Sequence, residues 1–265
     1  MYSGFRLARK YLRYYITAGN GKGYGIHSPF VFDFIKYVLN DRTKYKEYLP
    51  VEKIRRDLLN DKSLIEVEDF GAGSAHVPFK MRKVNDIAHS SLKPKKFAQL
   101  LFRITKYYKR ERILELGTSL GVTTSYLASA NPDAVVHTME GSKNIAAIAR
   151  QNFLQNQLTN IKITEGNFDT TLSHIIQSSP DFDLVFIDGN HRKKPTLDYF
   201  EALLNSIDTN TIFIFDDIHW SKEMEEAWEE IKQHPSVTLT IDLFFIGLVF
   251  FKKEFKVPQH FTIRF

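Results

Sequence analysis

The sequence predicts an α/β fold in which five parallel strands are closed by an antiparallel hairpin. Short apolar runs such as 113–116, 182–187 and 211–215 each end at a glycine or an acidic residue, which is typical of buried parallel strands. Segments of helical periodicity separate these runs, as crossover connections require. Residues 237–251 have no intervening helix and break near Gly247, which predicts the hairpin.

Length and composition limit how many domains and which kinds of site this chain can have. A chain of 265 residues and 30.8 kDa is long enough for one large core with an accessory region. We expect an N-terminal helical extension with a substrate or lid region over 1–92 and a catalytic domain over 93–265. The chain has no cysteine, which excludes disulfides and thiolate zinc sites. No run approaches the length of a membrane span, so we expect a cytoplasmic protein.

The formal net charge is +5 and the pI is near 9.1, which favours anionic partners. Residues 1–18 predict an amphipathic helix, with Phe5, Ala8, Leu12 and Ile16 on one face and four basic residues on another. The basic face is either a solvated face of a docking helix or a patch for RNA phosphates or an anionic membrane surface.

Two glycine-rich segments follow in the N-terminal region. Residues 19–25 contain four glycines and precede His27, and this segment is equally suited to be an active-site lid or a hinge for the first helix. Ser28 and Pro29 predict the start of a helix that runs to about Leu39. Residues 68–74 imitate a ligand-binding glycine turn, but Pro78 lies where the next helix would begin, so a loop is predicted.

The segment Glu111–Gly121 organises the chain. An apolar strand ends at Gly117, and helical periodicity begins after Gly121. Such a turn lets a nucleotide-like ligand approach main-chain N–H groups. Its spacing, Gly-x-x-x-Gly, is not the dinucleotide fingerprint Gly-x-Gly-x-x-Gly. The next strand, 134–139, delivers Glu140 to its carboxyl end, where a carboxylate can bind ribose hydroxyls.

In these motifs the chain resembles the class I S-adenosylmethionine-dependent methyltransferases, most of all the catechol-type O-methyltransferase branch. The resemblance covers about residues 94–252 and implies a Rossmann-like, doubly wound, seven-stranded sheet. It also implies S-adenosylmethionine as cofactor. The implied cofactor-binding residues are Glu115, Gly117, Thr118, Ser119, Gly121, Glu140, Gly166, Asn167 and Asp188. Asn167 stands where relatives usually have an aspartate that binds the adenine amino group.

The resemblance also implies a divalent cation such as Mg²⁺. Asp188 follows the fourth parallel strand, and Asp216 and Asp217 follow the fifth. In the catechol-type branch these positions hold the ion, although Asp217 replaces the family's asparagine. Three carboxylates suit hard cations. The alternative is that Asp216 and Asp217 cap the next helix and only Asp188 contacts cofactor or substrate.

His191 stands where the family has its general-base lysine, three residues after Asp188. Imidazole can accept the proton of a hydroxyl near neutral pH, so His191 and Asp188 are the predicted catalytic residues. The alternative is an ordinary solvated loop histidine. His219 and Trp220, after the fifth strand, are expected in the pocket wall.

The predicted activity is methyl transfer to a hydroxyl oxygen of a small acceptor. One alternative is an RNA-modifying methyltransferase that uses the basic first helix. A second is a nicotinamide-dependent oxidoreductase, and a third is a binding module that has lost catalysis. A homodimer is allowed but not specified by the sequence.

Overall fold

The computed structural model describes residues 1–68, 80–178 and 181–265. The chain divides into two compact units, one formed by 1–41 with 180–265 and the other by 42–179. Below they are called the terminal unit and the central unit. The predicted boundary between residues 92 and 93 stays a prediction.

The central unit contains helices packed around a set of parallel strands. Its helices are α3 (Tyr48–Asn60), α4 (Val84–Ser91), α5 (Lys95–Tyr107), α6 (Val122–Ala130), α7 (Lys143–Gln155) and α8 (Phe168–Ser178). Its strands are β1 (Leu64–Val67), β2 (Lys80–Lys83), β3 (Arg112–Leu116), β4 (Val135–Glu140) and β5 (Ile161–Glu165). β4 pairs in parallel with β3 and with β5, whereas β1 and β2 form a separate antiparallel pair.

Aromatic packing supports the first helices of this unit. Phe102 of α5 and Tyr126 of α6 are fully buried, and the ring of Tyr48 in α3 meets both edge-on, at centroid distances of 4.8 and 5.5 Å. Tyr126 also donates a hydrogen bond to Glu52 of α3 at 2.7 Å. These contacts explain why the helical periodicity of 95–107 and 122–130 is realised, since the apolar faces bury one another.

The terminal unit is built on a mixed sheet. Its helices are α1 (Gly4–Thr17), α2 (Pro29–Phe34), α9 (Lys193–Leu203) and α10 (Lys222–Gln233), with a π-helical turn at Ile35–Leu39 and a 3₁₀ turn at Leu204–Ser206. Its strands are β6 (Leu184–Ile187), β7 (Ile212–Asp216), β8 (Leu239–Asp242), β9 (Ile246–Phe250) and β10 (Gln259–Thr262), in the order β10-β8-β9-β7-β6.

The pairing in this sheet confirms the predicted parallel strands and hairpin. β6 and β7 are parallel, and β9 is antiparallel to both β7 and β8. The predicted count of seven strands is not confirmed, because β10 adds a further strand parallel to β8. β10 has only four residues, and three of them, Gln259, His260 and Thr262, are polar, so its pattern is too short to predict a strand.

Other predictions differ from the structure in detail. No sequence pattern predicted β1, β2, α4 or α8, whose segments are short or polar. Most of the predicted loop at 68–74 lies outside the described residues. Ser28 accepts a hydrogen bond from the N–H of Val31 and Pro29 occupies the first turn of α2, as predicted. No helix among the described residues is long and apolar enough to cross a membrane.

Candidate active site

The turn between β3 and α6 has the geometry of a ligand-binding loop. Gly117 and Gly121 have φ angles of 110° and 79°, and Ser119 between them has a φ of 48°. The N–H groups of Gly117 and Thr118 donate to the carbonyl of Met139 in β4, at 3.1 and 2.9 Å. The turn is therefore fixed to the end of the neighbouring strand.

Glu140, the last residue of β4, is bonded to the same turn. Its Oε2 accepts the N–H of Ser119 at 2.8 Å, and its Oε1 accepts the N–H of Ser142 at 3.0 Å. Burial raises the pKa of Glu140, while these main-chain donors act in the opposite direction. The predicted pairing of glycine turn and acidic residue therefore exists in the structure as a hydrogen-bonded unit.

Glu115 lies deeper, within β3. Its side chain is fully buried, and its Oε2 accepts hydrogen bonds from the hydroxyls of Thr124 and Thr138. Burial raises the pKa of Glu115 to about 7. Thr118 is also buried, with its hydroxyl 2.6 Å from that of Thr138. The two threonine partners of Glu115 were missed from the sequence, because only the pairing of β3 with β4 and the start of α6 brings them together.

Gly166 and Asn167 follow β5. The N–H of Gly166 donates to the carbonyl of Glu140 at 2.9 Å, which places this loop beside the end of β4. The Asn167 side-chain oxygen accepts the N–H of Asp169 at 2.9 Å, at the start of α8. Asn167 thus stabilises the beginning of a helix in this structure, and its expected contact with adenine stays a prediction.

In the terminal unit, the ends of β6 and β7 bring two acidic residues and a histidine together. Asp188, His191 and Asp216 each offer one ligand atom within 4.8 Å of the others. His191 Nε2 lies 3.7 Å from Asp188 Oδ1, and Asp216 is almost completely buried. These three residues form what we call the Asp–His–Asp cluster.

Asp217, the third predicted metal ligand, is not in that cluster. Its backbone has a φ of 54°, its N–H donates to the carbonyl of Phe245 at 2.7 Å, and its own carbonyl accepts the N–H of Trp220 at 2.9 Å. Its main chain therefore holds the turn after β7 in place. Whether its side chain binds a metal stays a prediction.

His191 has aromatic and polar neighbours that the sequence did not reveal. The ring of Trp220 meets it at a tilt of 61°, with the centroids 5.6 Å apart. Asn190, which precedes it, donates to the hydroxyl of Tyr199 in α9 at 3.1 Å. The predicted wall position of Trp220 is thus next to the predicted base.

His219 belongs to a different group of residues. Its Nε2 lies 2.8 Å from Asp242 Oδ2 and its Nδ1 lies 3.1 Å from Glu225 Oε1. Glu225 also accepts hydrogen bonds from Tyr2 and Lys10. His219 therefore connects the loop after β7 to the N-terminal segment, a role that requires contacts across more than 200 positions and leaves no sequence signal.

Comparison with known proteins identifies the fold. Residues 114–218 match a family model described as a methyltransferase domain. A search of curated protein sequences gives no significant match.

Solved structures resemble the chain at low identity. An O-methyltransferase from Bacillus cereus, in complex with S-adenosylhomocysteine, is 24% identical with a TM-score of 0.53, over 61% of this chain and 83% of its own. A putative caffeoyl-CoA O-methyltransferase from Staphylococcus aureus is 20% identical with a TM-score of 0.56, over 63% and 87%.

The O-methyltransferase TomG from Streptomyces achromogenes, in complex with S-adenosylmethionine, is 19% identical with a TM-score of 0.53, over 61% of this chain and 82% of its own. At these identities the likeness concerns the fold. The match over 114–218 identifies a methyltransferase domain in that part of the chain, in agreement with the resemblance seen in the sequence.

Proposed function

We propose that this protein transfers a methyl group from S-adenosylmethionine to a hydroxyl oxygen of a small acceptor. The observation that carries the proposal is the glycine turn bonded to Glu140 in a chain that matches a methyltransferase domain. The names of the similar structures, which include O-methyltransferases bound to S-adenosylmethionine or S-adenosylhomocysteine, support the cofactor and the oxygen acceptor. The RNA and nicotinamide alternatives are not favoured.

The residues of the turn fit such a cofactor. A carboxylate offers about four lone-pair directions, and the two N–H donors on Glu140 leave acceptor capacity for ribose hydroxyls. Gly117 and Gly121 adopt positive φ angles, which glycine accommodates without strain and which shape the turn. S-adenosylmethionine supplies an electrophilic methyl group on a sulfonium.

In the proposed reaction, His191 accepts the proton of the acceptor hydroxyl as its oxygen attacks the methyl carbon. The bond from that carbon to sulfur breaks, and the sulfur retains the electron pair. Asp188, 3.7 Å from His191 Nε2, orients the imidazole and stabilises its protonated form. Trp220, whose ring contacts that of His191, restricts the position of the imidazole.

The Asp–His–Asp cluster also fits a divalent cation. Two carboxylates with an imidazole are a donor set that suits Mn²⁺, Fe²⁺ or Zn²⁺ at least as well as Mg²⁺. Asp188, His191 and Asp216 would hold the ion, which would acidify an acceptor hydroxyl. His191 cannot be a metal ligand and the proton acceptor through the same nitrogen, so the two roles are alternatives that experiment separates.

Calorimetry with S-adenosylhomocysteine tests the cofactor. We expect binding to wild type and a loss of about 1–3 kcal/mol in Glu140→Gln, because a charged acceptor is removed. Glu111→Gln is the matched control, because Glu111 is exposed and immediately precedes β3, at the opposite end of that strand from the glycine turn. Binding of NADH without any response to S-adenosylhomocysteine would refute the proposal.

A further inference from the structure

Helix α1 is attached to the terminal unit by one face. Tyr14 and Ala18 are buried in a cluster with Phe244, against which Leu7 and Tyr11 also pack. The Tyr14 hydroxyl donates to the carbonyl of Ile263 at 2.5 Å. Lys10 Nζ lies 2.8 Å from Glu225 Oε1.

These contacts correct the face expected from the sequence. The predicted apolar face is not the one that docks, because Phe5, Leu12 and Ile16 are 84%, 59% and 68% exposed. Residues 5, 12 and 16 are separated by seven and four positions, so they lie on one side of the helix. We call these three residues the apolar stripe.

Basic residues border the apolar stripe. At 100° per residue, Arg9 lies next to Ile16 on the helix circumference, and Arg13 and Arg6 follow. All three arginines are exposed. The chain has no aspartate or glutamate before Asp33, so nothing acidic on α1 offsets this charge.

An exposed stripe of large apolar side chains next to arginines is the pattern of a helix that lies in a membrane interface. We propose that α1 binds the surface of an anionic lipid bilayer, with the apolar stripe among the acyl chains and Arg9 and Arg13 at the lipid phosphates. The opposite face of α1, which packs on Phe244, keeps the helix attached to the rest of the terminal unit.

The observations favour this occupant over two others. RNA phosphates would use the arginines but leave Phe5, Leu12 and Ile16 in water. A second copy of the chain would cover the stripe, but a two-fold arrangement would bring the arginines of both helices together without an acidic partner on either helix.

Vesicle flotation tests the proposal on the full chain. We expect binding to vesicles of phosphatidylcholine with about 30 mol% phosphatidylserine, which gives an anionic surface. Partitioning to vesicles of phosphatidylcholine alone should be at least ~10-fold weaker. Binding should weaken as NaCl is raised, because the electrostatic part is screened.

Two variants separate the contributions. Phe5→Ser/Leu12→Ser/Ile16→Ser should lower partitioning at least ~10-fold, because apolar burial is lost. Arg9→Gln/Arg13→Gln should lower it by about 25-fold, since each basic residue near an anionic surface contributes about fivefold. Leu49→Ser/Leu154→Ser is the matched control, because these leucines are 74% and 76% exposed elsewhere, and it should bind like wild type.

Insertion can be measured directly because the chain has no cysteine. A Leu12→Cys variant labelled with an environment-sensitive fluorophore should shift to the blue on anionic vesicles, and labelled Leu49→Cys should not. Equal binding to neutral vesicles, or none to either, would overturn the proposal. It would also fail if sedimentation showed a dimer that the serine variant dissociates, or if bulk RNA bound in place of vesicles.

Discussion

At the scale of single residues, Glu115 is the clearest case of an environment that changes a side chain's chemistry. The carboxyl is fully buried, and its Oε1 has no hydrogen-bond partner among the described residues. Burial therefore outweighs the two threonine donors and raises the pKa to about 7. A carboxyl with this pKa is partly protonated near neutral pH.

This shift predicts how stability depends on pH. Between about 4.5 and 7 the unfolded carboxyl is ionised while the folded one keeps its proton, so stability falls as pH rises, by on the order of 3 kcal/mol in total. Glu115→Gln should remove this dependence, because the amide resembles the protonated acid. Urea unfolding from pH 4.5 to 8 measures it, with Glu111→Gln as control. If the free energy of unfolding varied with pH in the same way in wild type and Glu115→Gln, the raised pKa would not belong to Glu115.

The role of His191 can be decided by separating metal affinity from turnover. If His191 is the proton acceptor, His191→Ala should leave the affinity for Mn²⁺ unchanged and lower kcat by ~10²–10⁴. His191→Lys should then recover part of the activity, because lysine stands at this position in the resembled family. If His191 is a ligand, His191→Ala should weaken Mn²⁺ binding, and lysine should not restore it.

A chelator experiment tests whether any cation is needed. If the Asp–His–Asp cluster holds an ion, EDTA should abolish transfer, and Mn²⁺ or Mg²⁺ should restore it. Asp188→Asn should impair this recovery. Asp217→Asn should be tolerated, because it recreates the family's asparagine. Full turnover in EDTA would assign these acids to structure or to substrate binding.

At the scale of elements, the turn between β3 and α6 requires glycine at residue 121 for two reasons. Its φ is 79°, and a Cβ there would lie 2.6 Å from Phe153 Cε1 and 3.1 Å from Ala149 Cβ. The close approach of α7 to this turn is therefore possible only without a side chain.

We expect Gly121→Ala to destabilise the protein by about 2–4 kcal/mol, the sum of left-handed strain and overpacking. Gly25→Ala is the matched control, because Gly25 has the same φ of 79° and no atom within 4 Å, so only the strain of about 1 kcal/mol applies. Adding Phe153→Leu should partly rescue Gly121→Ala. Equal losses of stability in Gly121→Ala and Gly25→Ala, measured by thermal unfolding, would show that overlap with Phe153 does not contribute.

His219 is part of the ionic network that contacts α1 through Glu225. Burial alone would lower the pKa of His219, but its hydrogen bonds to Asp242 and Glu225 outweigh burial and raise it. Burial would likewise raise the pKa of Glu225, yet Lys10, Tyr2 and His219 hold it below its ordinary value. Lys10 of α1 thus belongs to a network of opposite charges with Glu225, His219 and Asp242.

A raised histidine pKa contributes stability that is complete below about 6.5, the unfolded value, and is lost as pH rises through the folded value. His219→Gln should therefore lower stability at pH 6 and have less effect at pH 9. His89→Gln, at an exposed histidine, is the control. Unfolding curves at the two pH values measure the loss of stability. An equal loss in His219→Gln at pH 6 and pH 9 would contradict a raised pKa of His219.

At the scale of the whole molecule, ligand binding should be visible as stabilisation. S-adenosylhomocysteine at about 100 times its Kd should add ~2.7 kcal/mol, which for a chain of this size corresponds to a rise in Tm of roughly 5–10 °C. Glu140→Gln should show a smaller rise at the same concentration. No shift in wild type at saturating ligand, measured by scanning calorimetry, would argue against cofactor binding.

The sequence by itself determined the α/β class, the parallel strands and the final hairpin, and it carried the methyltransferase resemblance that the match over 114–218 supports. These follow from local signals: apolar runs of strand length, helical periodicity, and the glycine turn followed by Glu140. Each of these signals lies within about 30 residues of chain, so no tertiary contact is needed to recognise it.

Only the tertiary structure decided which side chains meet. It placed His191 beside Asp188 and Asp216, joined Glu115 to Thr124 and Thr138, and connected His219 to the N-terminal segment through Glu225. It also showed that α1 docks through Tyr11 and Tyr14 and leaves the apolar stripe exposed. An amphipathic pattern states which residues share a helix face, but which face is buried depends on partners distant in sequence.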